Sequence, residues 1–189
     1  MDGVTPRPLS YVDRLETRDP AAVELIVIHA TELPDLATAR AYGERIHYPE
    51  SRTGNSGHFY IDRDGRIEQW VPLARVAHHV SGHNRGSIGI ELVNRGRWPN
   101  WYASDHQHWL DDYPDAQIDA LVRLLSALRK QLPGIRQIAG HDQLDTRTQP
   151  AEDQPEVLIR RKLDPGPGFP WAAVIELTGL ARWTEADHD

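Results

Sequence analysis

The feature that most constrains this chain is the unbroken apolar run Leu25-Ile26-Val27-Ile28, which ends on His29 and Ala30. Apolar and polar residues do not alternate in this run, as they would in a strand with one face in water. Continuous apolar runs of this length are typical of strands that are covered on both faces. We therefore predict a strand over residues 23–30 that is buried on both sides and ends on a histidine.

A second strand is predicted over residues 87–94, and here the pattern does alternate. Ile88, Ile90 and Leu92 point to one face, and Glu91 lies on the other. The sequence therefore places a carboxylate on the side of a strand that is opposite its apolar side.

The strongest helix pattern covers residues 114–132, and Pro133-Gly134 ends it. Its apolar stripe has helical spacing and consists of Ile118, Leu121, Val122, Leu125 and Leu128. The other predicted elements are helices over 37–47 and 170–180, a hairpin of strands 58–62 and 66–71, and a strand over 135–139. Because strands and helices alternate, the fold class is α/β, with a central mixed β-sheet flanked by helices.

With 189 residues the chain is expected to form a single domain, residues 1–189. Residues 1–20 are polar and rich in proline, and we predict a peripheral extended arm. The acidic tail 181–189 is likewise predicted to be peripheral and frayed. Residues 142–160 show no clear period and are predicted to be a polar loop.

The charge balance argues against several classes of partner. The chain has 21 basic and 28 acidic residues, a net charge of −7, so nucleic acids and anionic membrane surfaces are not expected to bind. The absence of cysteine excludes disulfides and thiolate metal sites. No apolar run is long enough to insert into a membrane, and the first residues do not resemble a signal peptide. We expect a cytoplasmic monomer, with a periplasmic location as the alternative if a native signal is absent from this chain.

Three separated residues form a candidate metal set: His29, His141 and Asp164. The two histidines end predicted strands, where α/β sheets commonly place their sites, and Asp164 lies in a proline- and glycine-rich turn that restricts the backbone. Catalytic zinc sites use three protein ligands and keep a fourth position open. No local ligand motif links the three residues, so a histidine at a strand end is also compatible with a structural role.

Two further residues can be interpreted either as ordinary surface residues or as catalytic groups. Glu91 is either a solvated carboxylate on an open sheet face or a general base that faces a cleft. Lys162 is two residues from Asp164, so in an extended loop both side chains point to the same side. It is either a surface lysine or a group that stabilises an oxyanion.

The middle of the chain holds two more clusters. His78, His79 and His83 are close in sequence, but adjacent histidines on a strand point to opposite faces, so substrate contact or plain surface is a better interpretation than a shared metal. The aromatic stretch 98–113 is either a wall that binds sugar or peptide or an irregular packing cluster.

Several motifs, taken in order, resemble the zinc-dependent N-acetylmuramoyl-L-alanine amidases, a family whose fold is shared with peptidoglycan recognition proteins. The resemblance covers roughly residues 22–175, which we take as the core of the domain. The motifs are Ile26-Val27-Ile28-His29, the stretch from Gly57 to Ile67, Ala77-His78-His79, the stretch from Asn84 to Asn94, Tyr113 to Gln117, Gly140-His141-Asp142, and Lys162 to Trp171.

The resemblance implies a function and its residues. It implies that His29, His141 and Asp164 bind Zn²⁺, that Glu91 is the catalytic carboxylate and that Lys162 stabilises the transition state. The reaction implied is hydrolysis of the amide between the lactyl group of N-acetylmuramic acid and L-alanine, in peptidoglycan or in soluble muropeptides. The residues expected to contact substrate are His58, His79, Asn84 and Trp98. The alternatives are a non-catalytic peptidoglycan-binding module and a hydrolase of an unrelated amide.

The chain departs from the family pattern at three places, and a fourth position indicates which branch of the family it resembles. Gly57 stands where some lysozyme-type relatives carry a tyrosine, so the chain resembles the branch that relies on the glutamate. His78 stands where tryptophan is usual, and Leu163 replaces a more usual threonine. Residues 142–160 are longer than in compact members, and we expect this loop to border the cleft and to influence substrate choice.

Overall fold

The computed structural model describes residue 1 and residues 3–185, and a seven-stranded sheet forms the centre of this part of the chain. The strands of the central sheet are β1 (Val4–Pro6), β2 (Leu25–Ala30), β3 (Phe59–Ile61), β4 (Ile67–Gln69), β5 (Ser87–Leu92), β6 (Gln137–Gly140) and β9 (Ala181–Arg182). A separate hairpin consists of β7 (Thr148–Pro150) and β8 (Leu158–Arg160). The helices are α1 (Leu36–Gly43), α2 (Asp115–Gln131), α3 (His141–Leu144) and α4 (Trp171–Thr178).

The order of the strands explains why β2 is so apolar. The sheet runs β1-β4-β3-β5-β2-β6-β9, so β2 lies between β5 and β6. It is parallel to both, and all six of its residues are buried. Only the β3–β4 pair is antiparallel among the pairs of this sheet in the described residues. The predicted central mixed sheet is therefore confirmed, with the unbroken apolar run at its centre.

One face of the sheet packs against α2 and α4. The isoleucines of β2 and β5 face the leucines of α2, and Val174 of α4 completes this core. Burying a leucine side chain stabilises the fold by about 1.5–3 kcal/mol, so α2 contributes much of the packing energy on this side. The α2 residues with buried side chains are Gln117, Ala120, Leu121, Leu124, Leu125 and Leu128.

The opposite face of the sheet packs against α1 and the N-terminal segment. Tyr60 of β3 stacks on Trp70 with ring centroids 3.4 Å apart, and both rings belong to a cluster with Leu36 and Ala39 of α1. This layer is smaller than the one formed by α2 and α4. It leaves part of the sheet face open, and the candidate site lies there.

The N-terminal segment differs from the expectation of a peripheral arm. β1 pairs with β4 in parallel at the edge of the sheet, and Leu9, Tyr11 and Leu15 are buried. The Tyr11 hydroxyl donates to the Gly43 carbonyl at the end of α1, at 2.7 Å. The arm is therefore part of the core, although its irregular apolar spacing among prolines gave no periodic pattern.

The two other segments predicted to be irregular also contain structure. Residues 142–160 were expected to be a polar loop, but they hold most of α3 and the β7–β8 hairpin. The tail begins with β9, which pairs with β6, and Trp183 is 9% exposed. Residues 186–189 of the predicted frayed tail lie outside the described residues. Among the described residues no helix is long and apolar enough to cross a membrane.

Candidate active site

The two histidines of the candidate metal set meet because their strands are neighbours. His29 is the second-to-last residue of β2, and His141 is the first residue of α3, directly after β6. Ile28 of β2 pairs in register with Gly140 of β6, and each histidine is the next residue in its chain segment. The two histidines therefore lie at the same height at the ends of two parallel strands. The carboxyl ends of parallel strands form one edge of the sheet, which is where α/β proteins build their sites.

Asp164 reaches the same edge from the proline- and glycine-rich turn. The Asp142 N–H donates to the Asp164 carbonyl at 2.9 Å, which ties the turn to the start of α3. The Tyr113 hydroxyl donates to the Pro165 carbonyl at 2.6 Å from the other side. These two bonds hold the two successive carbonyls at and after Asp164, so the position of its carboxylate is set by the fold.

The three side chains converge on one point. His29 Nδ1 lies 3.0 Å from His141 Nδ1, and Asp164 Oδ2 lies 3.1 Å from each of these nitrogens. These residues are the one group of three or more His, Asp or Glu in the described chain whose ligand atoms cluster in this way. The second oxygen of Asp164, Oδ1, is buried and has no hydrogen-bond partner among the described residues. The set therefore fits a divalent metal ion such as zinc, for which two imidazoles and a carboxylate are common ligands.

The protonation states of the set agree with metal binding. Burial, together with the charge of His141, lowers the pKa of His29 to about 4, so its imidazole is neutral at pH 7. Burial alone would favour the neutral acid of Asp164, but its contacts with His141 and His29 hold its pKa well below the usual range. A neutral imidazole and an ionised carboxylate are the forms that bind metal.

Glu91 lies beside this set because of the strand register. In β5 it is the partner of His29 in β2 on one side and of Tyr60 in β3 on the other, and Tyr60 is paired with Glu68 of β4. Cross-strand partners point to the same face, so these four side chains form a row across the sheet, which we call the cross-sheet row. The row places Glu91 next to His29, on the open side of the sheet.

The space for Glu91 depends on a glycine. A Cβ on Gly57 would lie 2.8 Å from Glu91 Cγ and 3.1 Å from the Gly89 carbonyl oxygen, closer than side chains pack. Burial and the charge of Asp164 raise the pKa of Glu91 to about 8, whereas Lys162 opposes the shift. Glu91 is thus a carboxyl group able to hold or release a proton near neutral pH.

A cavity of about 430 Å³ opens over the metal set and Glu91. Lys162 and Arg161 form part of its wall, and Tyr42, Tyr48 and His78 form another part. His78 contacts Tyr48 edge to face, with ring centroids 5.1 Å apart. The cavity therefore combines cationic groups near the metal set with an aromatic wall.

The residues predicted to contact substrate lie in different places. His79 and Asn84 line the cavity, and the Asn84 side-chain oxygen accepts from the His79 N–H at 2.9 Å. Trp98 packs against the cluster around Tyr60 and Trp70, and it does not line this cavity in the described structure. His58 is fully buried, and it also lies outside the cavity wall.

The 142–160 segment does not line the cavity, which contradicts the expectation that it borders the cleft. The cavity wall in the described structure includes His141 and residues 161–162 but none of the residues between 142 and 160. Asp153 accepts from the Ser104 N–H and hydroxyl at 2.7 and 2.8 Å, so the segment is joined to the aromatic stretch 98–113. An influence of this segment on substrate choice stays a prediction.

One strong interaction near the site was missed by the sequence interpretation. Arg97 Nε donates to Glu32 Oε1 at 2.7 Å, and Arg97 Nη2 donates to Glu32 Oε2 at 2.9 Å. The Arg97 side chain is 1% exposed, and it also donates to the carbonyls of Arg160 and Arg161 at 3.1 and 3.3 Å. Arg97 therefore joins the end of β2 to the segment that leads into Lys162. The two partners are 65 residues apart, and no local pattern links them.

His58 gives a prediction about stability and pH. Its Nδ1 accepts from the Gly89 N–H at 3.1 Å, and burial together with the charge of Arg18 lowers its pKa to about 3. The folded state keeps His58 neutral, while the unfolded chain binds a proton below about pH 6.5. This contribution to stability is complete above that pH and is lost as the pH falls towards 3. We expect a decrease of about 1.4 kcal/mol per pH unit from this one group.

Urea unfolding of metal-free protein between pH 6 and pH 4 checks this expectation. His58→Asn should show a slope of unfolding free energy against pH that is smaller by one proton, since asparagine does not titrate. The exposed His108, replaced in His108→Asn, is the matched control and should keep the slope of the wild type. Equal slopes in wild type and His58→Asn would show that His58 is protonated in the folded state.

Comparison with known proteins gives consistent matches. The family model described as N-acetylmuramoyl-L-alanine amidase matches residues 19–167. The 1,6-anhydro-N-acetylmuramyl-L-alanine amidase AmpD of Enterobacter cloacae is 33% identical over 121 residues, which cover 59% of this chain and 51% of AmpD. The chain thus spans about half the length of the curated AmpD relatives it matches.

Solved structures share the fold. The amidase AmiD from E. coli, in complex with the substrate anhydro-N-acetylmuramic acid-L-Ala-D-gamma-Glu-L-Lys, superposes with a TM-score of 0.65 at 26% identity, covering 88% of this chain and 61% of that one. Drosophila PGRP-LB superposes with a TM-score of 0.59 at 20% identity, covering 96% of this chain and 99% of that one. The second match concerns the fold alone, and it confirms the fold class expected from the motifs.

Proposed function

Because this chain belongs to the N-acetylmuramoyl-L-alanine amidase family, we propose that it hydrolyses the amide between the lactyl group of N-acetylmuramic acid and L-alanine. One observation carries the proposal. His29, His141 and Asp164 converge within 4.8 Å on a cavity wall that also holds Glu91 and Lys162. A binding module would need the cavity, but it would have no need for a buried metal set with a carboxylic acid beside it.

We propose zinc as the metal that His29, His141 and Asp164 hold. The set has nitrogen and oxygen ligands and no thiolate, and three protein ligands are typical of catalytic zinc sites. When bound, zinc supplies Lewis-acid activation of a water molecule and of the scissile carbonyl. The three side chains would hold the ion at the carboxyl ends of β2 and β6.

Glu91 is proposed to move the proton. It takes a proton from the attacking water and passes it to the nitrogen of the leaving L-alanine. A group with a pKa near the working pH is well suited to both steps, and burial shifts Glu91 in that direction. Its place in the cross-sheet row sets it beside His29 and leaves it outside the metal set.

Lys162 is proposed to stabilise the negative charge that develops on the carbonyl oxygen. It lines the cavity two residues before Asp164, and its charge acts on the pKa values of both Glu91 and Asp164. A fixed cation in a site that excludes water stabilises an oxyanion more strongly than a cation in bulk solvent. The Arg97 bonds to residues 160 and 161 support the backbone that carries Lys162.

The substrate proposed is a soluble muropeptide that carries a 1,6-anhydro sugar. The AmpD relatives are named for this sugar, and the AmiD complex holds an anhydro-N-acetylmuramic acid tripeptide as its substrate. The cavity of about 430 Å³ is of the size that takes a small ligand. A cytoplasmic location, in which such fragments would meet the enzyme, is part of this proposal.

Mass spectrometry of reaction products tests the activity. Incubation of zinc-loaded protein with an anhydromuropeptide should release the free stem peptide and anhydro-N-acetylmuramic acid. Intact sacculi, tested in parallel, should release stem peptides more slowly. Removal of the metal by a chelator should stop product formation, and added zinc should restore it.

The same experiment distinguishes the alternatives. Binding of the muropeptide without any product would indicate a peptidoglycan-binding module. Faster release of peptide from sacculi than from soluble fragments would reject the proposed substrate while keeping the activity. No binding and no product would leave the unrelated-amide alternative.

A further inference from the structure

His79 lies directly behind the metal set. Its Nδ1 is 3.0 Å from His29 Nε2, the ring nitrogen of His29 that faces away from His141 and Asp164. Its other ring nitrogen, Nε2, is 3.2 Å from the Ser87 hydroxyl. Although His79 borders the cavity, both of its nitrogens are therefore engaged with protein groups.

The far end of this chain of contacts fixes the direction of every hydrogen bond in it. The Ser87 hydroxyl lies 2.7 Å from the His83 carbonyl oxygen, which can only accept, so the hydroxyl proton is used there. Ser87 Oγ must then accept from His79 Nε2, which carries the proton. In a neutral imidazole the remaining nitrogen, His79 Nδ1, has a free lone pair.

The same logic determines the state of His29. Because His79 Nδ1 accepts, His29 Nε2 must carry the proton that it donates. His29 Nδ1 is then unprotonated, and it is the nitrogen that lies 3.0 Å from His141 Nδ1 and 3.1 Å from Asp164 Oδ2. The backbone carbonyl of His83 thus determines, through two side chains, which nitrogen of His29 presents a lone pair to the metal position.

The surrounding loop holds His79 in this place. A Cβ on Gly89 would lie 2.6 Å from His79 Cγ and 2.7 Å from His79 Nδ1, so the ring packs where only glycine leaves room. The Asn84 side-chain oxygen accepts from the N–H groups of His79 and Val80 at 2.9 and 2.8 Å. The backbone and the ring of His79 are both fixed, which is what a residue needs in order to orient a neighbour.

We propose that His79 is a positioning residue that holds His29 in the tautomer whose Nδ1 binds the metal. The inference rests on the metal site of the proposed function and replaces the expected substrate contact of His79 with a role toward a ligand. Hydrogen bonds from the second nitrogen of a metal-binding histidine fix its tautomer and orientation, and their loss typically lowers metal affinity by about 10–100-fold.

Zinc affinity, measured by competition with a chromophoric chelator, tests the role through two matched variants. His79→Asn places a side-chain oxygen at the same distance along the side chain as Nδ1, so it can still accept from His29. His79→Leu fills similar space without an acceptor. We expect affinity within a few-fold of the wild type for His79→Asn and a loss of about 10–100-fold for His79→Leu. His108→Asn, at an exposed histidine away from the cavity, is the control and should bind like the wild type.

The outcomes separate this inference from the proposed function. If the wild type binds no zinc, the proposed metal site is wrong. If the wild type binds zinc and His79→Leu binds it equally well, His79 does not position His29. Equal losses in His79→Asn and His79→Leu would show that packing of the imidazole matters and the hydrogen bond does not, which also overturns the inference.

A measurement on the wild type keeps the test independent of how the variants fold. Long-range proton–nitrogen NMR spectra of the zinc-loaded protein report which ring nitrogen carries hydrogen. His29 and His79 should both be neutral and protonated at Nε2. Protonation of His79 at Nδ1 would reverse the hydrogen-bond chain and overturn the inference, even if both variants were unstable.

Discussion

Replacing Glu91 with glutamine is expected to lower kcat by about 10²–10⁴-fold, because the amide cannot accept the proton of the attacking water. The shape of the side chain is kept, and Gly57 leaves room for it in both forms. Zinc content and the melting temperature should stay close to those of the wild type, since Glu91 is not one of the clustered ligands. Steady-state kinetics on an anhydromuropeptide, with zinc measured on the same samples, checks the expectation.

Two other variants define the comparison for Glu91. Asp164→Ala should lose zinc and activity together, because it removes one of the three proposed ligands. Glu68→Gln makes the same chemical change two strands away in the cross-sheet row, where Glu68 accepts from Arg7 and Trp70 and does not line the cavity. The kcat of Glu68→Gln, calculated from the concentration of folded protein, should resemble that of the wild type. Loss of zinc from Glu91→Gln would make Glu91 a ligand or a structural support, and near-normal kcat would require another base.

The second large effect concerns stability. Arg97→Met is expected to lower the free energy of unfolding by about 3–5 kcal/mol, because it leaves the Glu32 carboxylate buried without its partner. The pair is bidentate, and the two side chains are 1% and 9% exposed, so Glu32 would lose its main partner in a largely buried position. Urea unfolding of the metal-free protein measures the change.

The double variant Glu32→Gln/Arg97→Met shows whether the unpaired Glu32 carboxylate causes the loss of stability. It removes the carboxylate as well, so it should recover a large part of the stability lost in Arg97→Met. No recovery in the double variant would assign the effect to the bonds from Arg97 to the carbonyls of residues 160 and 161. A loss of less than about 1 kcal/mol in Arg97→Met would place the pair among ordinary surface ion pairs.

The sequence predicted the parts of the site that depend on strand order and alternation. The run over residues 23–30 became the central strand β2, and the alternation over 87–94 put Glu91 on the face opposite Ile88 and Ile90. These patterns come from burial along a single strand, which is a local property. The convergence of His29, His141 and Asp164 was expected from the strand ends and from the family resemblance, and the structure brings these three together.

The parts that could not be predicted depend on contacts between distant segments. The α2 stripe was predicted with Val122, but the structure buries Leu124 there and Val122 is only partly buried, since α4 and the sheet determine the exact face. Gln117 is fully buried because its side-chain nitrogen donates to the carbonyls of Ile61 and Val93, at 2.9 and 3.0 Å. A polar residue at such a position has no signature in its own segment.

The cross-sheet row has a consequence for how activity and folding are related. Side chains alternate with a period of two, so sliding β5 by one residue against β2 would turn Glu91 towards the layer of α2 and bring Ile90 to the cavity. Such a molecule would lack the Glu91 carboxylate beside His29, whatever the state of its other elements. Each molecule is therefore either catalytically active, with β5 in the correct register, or inactive. The specific activity of a refolded sample should then equal the fraction of chains in correct register multiplied by a constant rate.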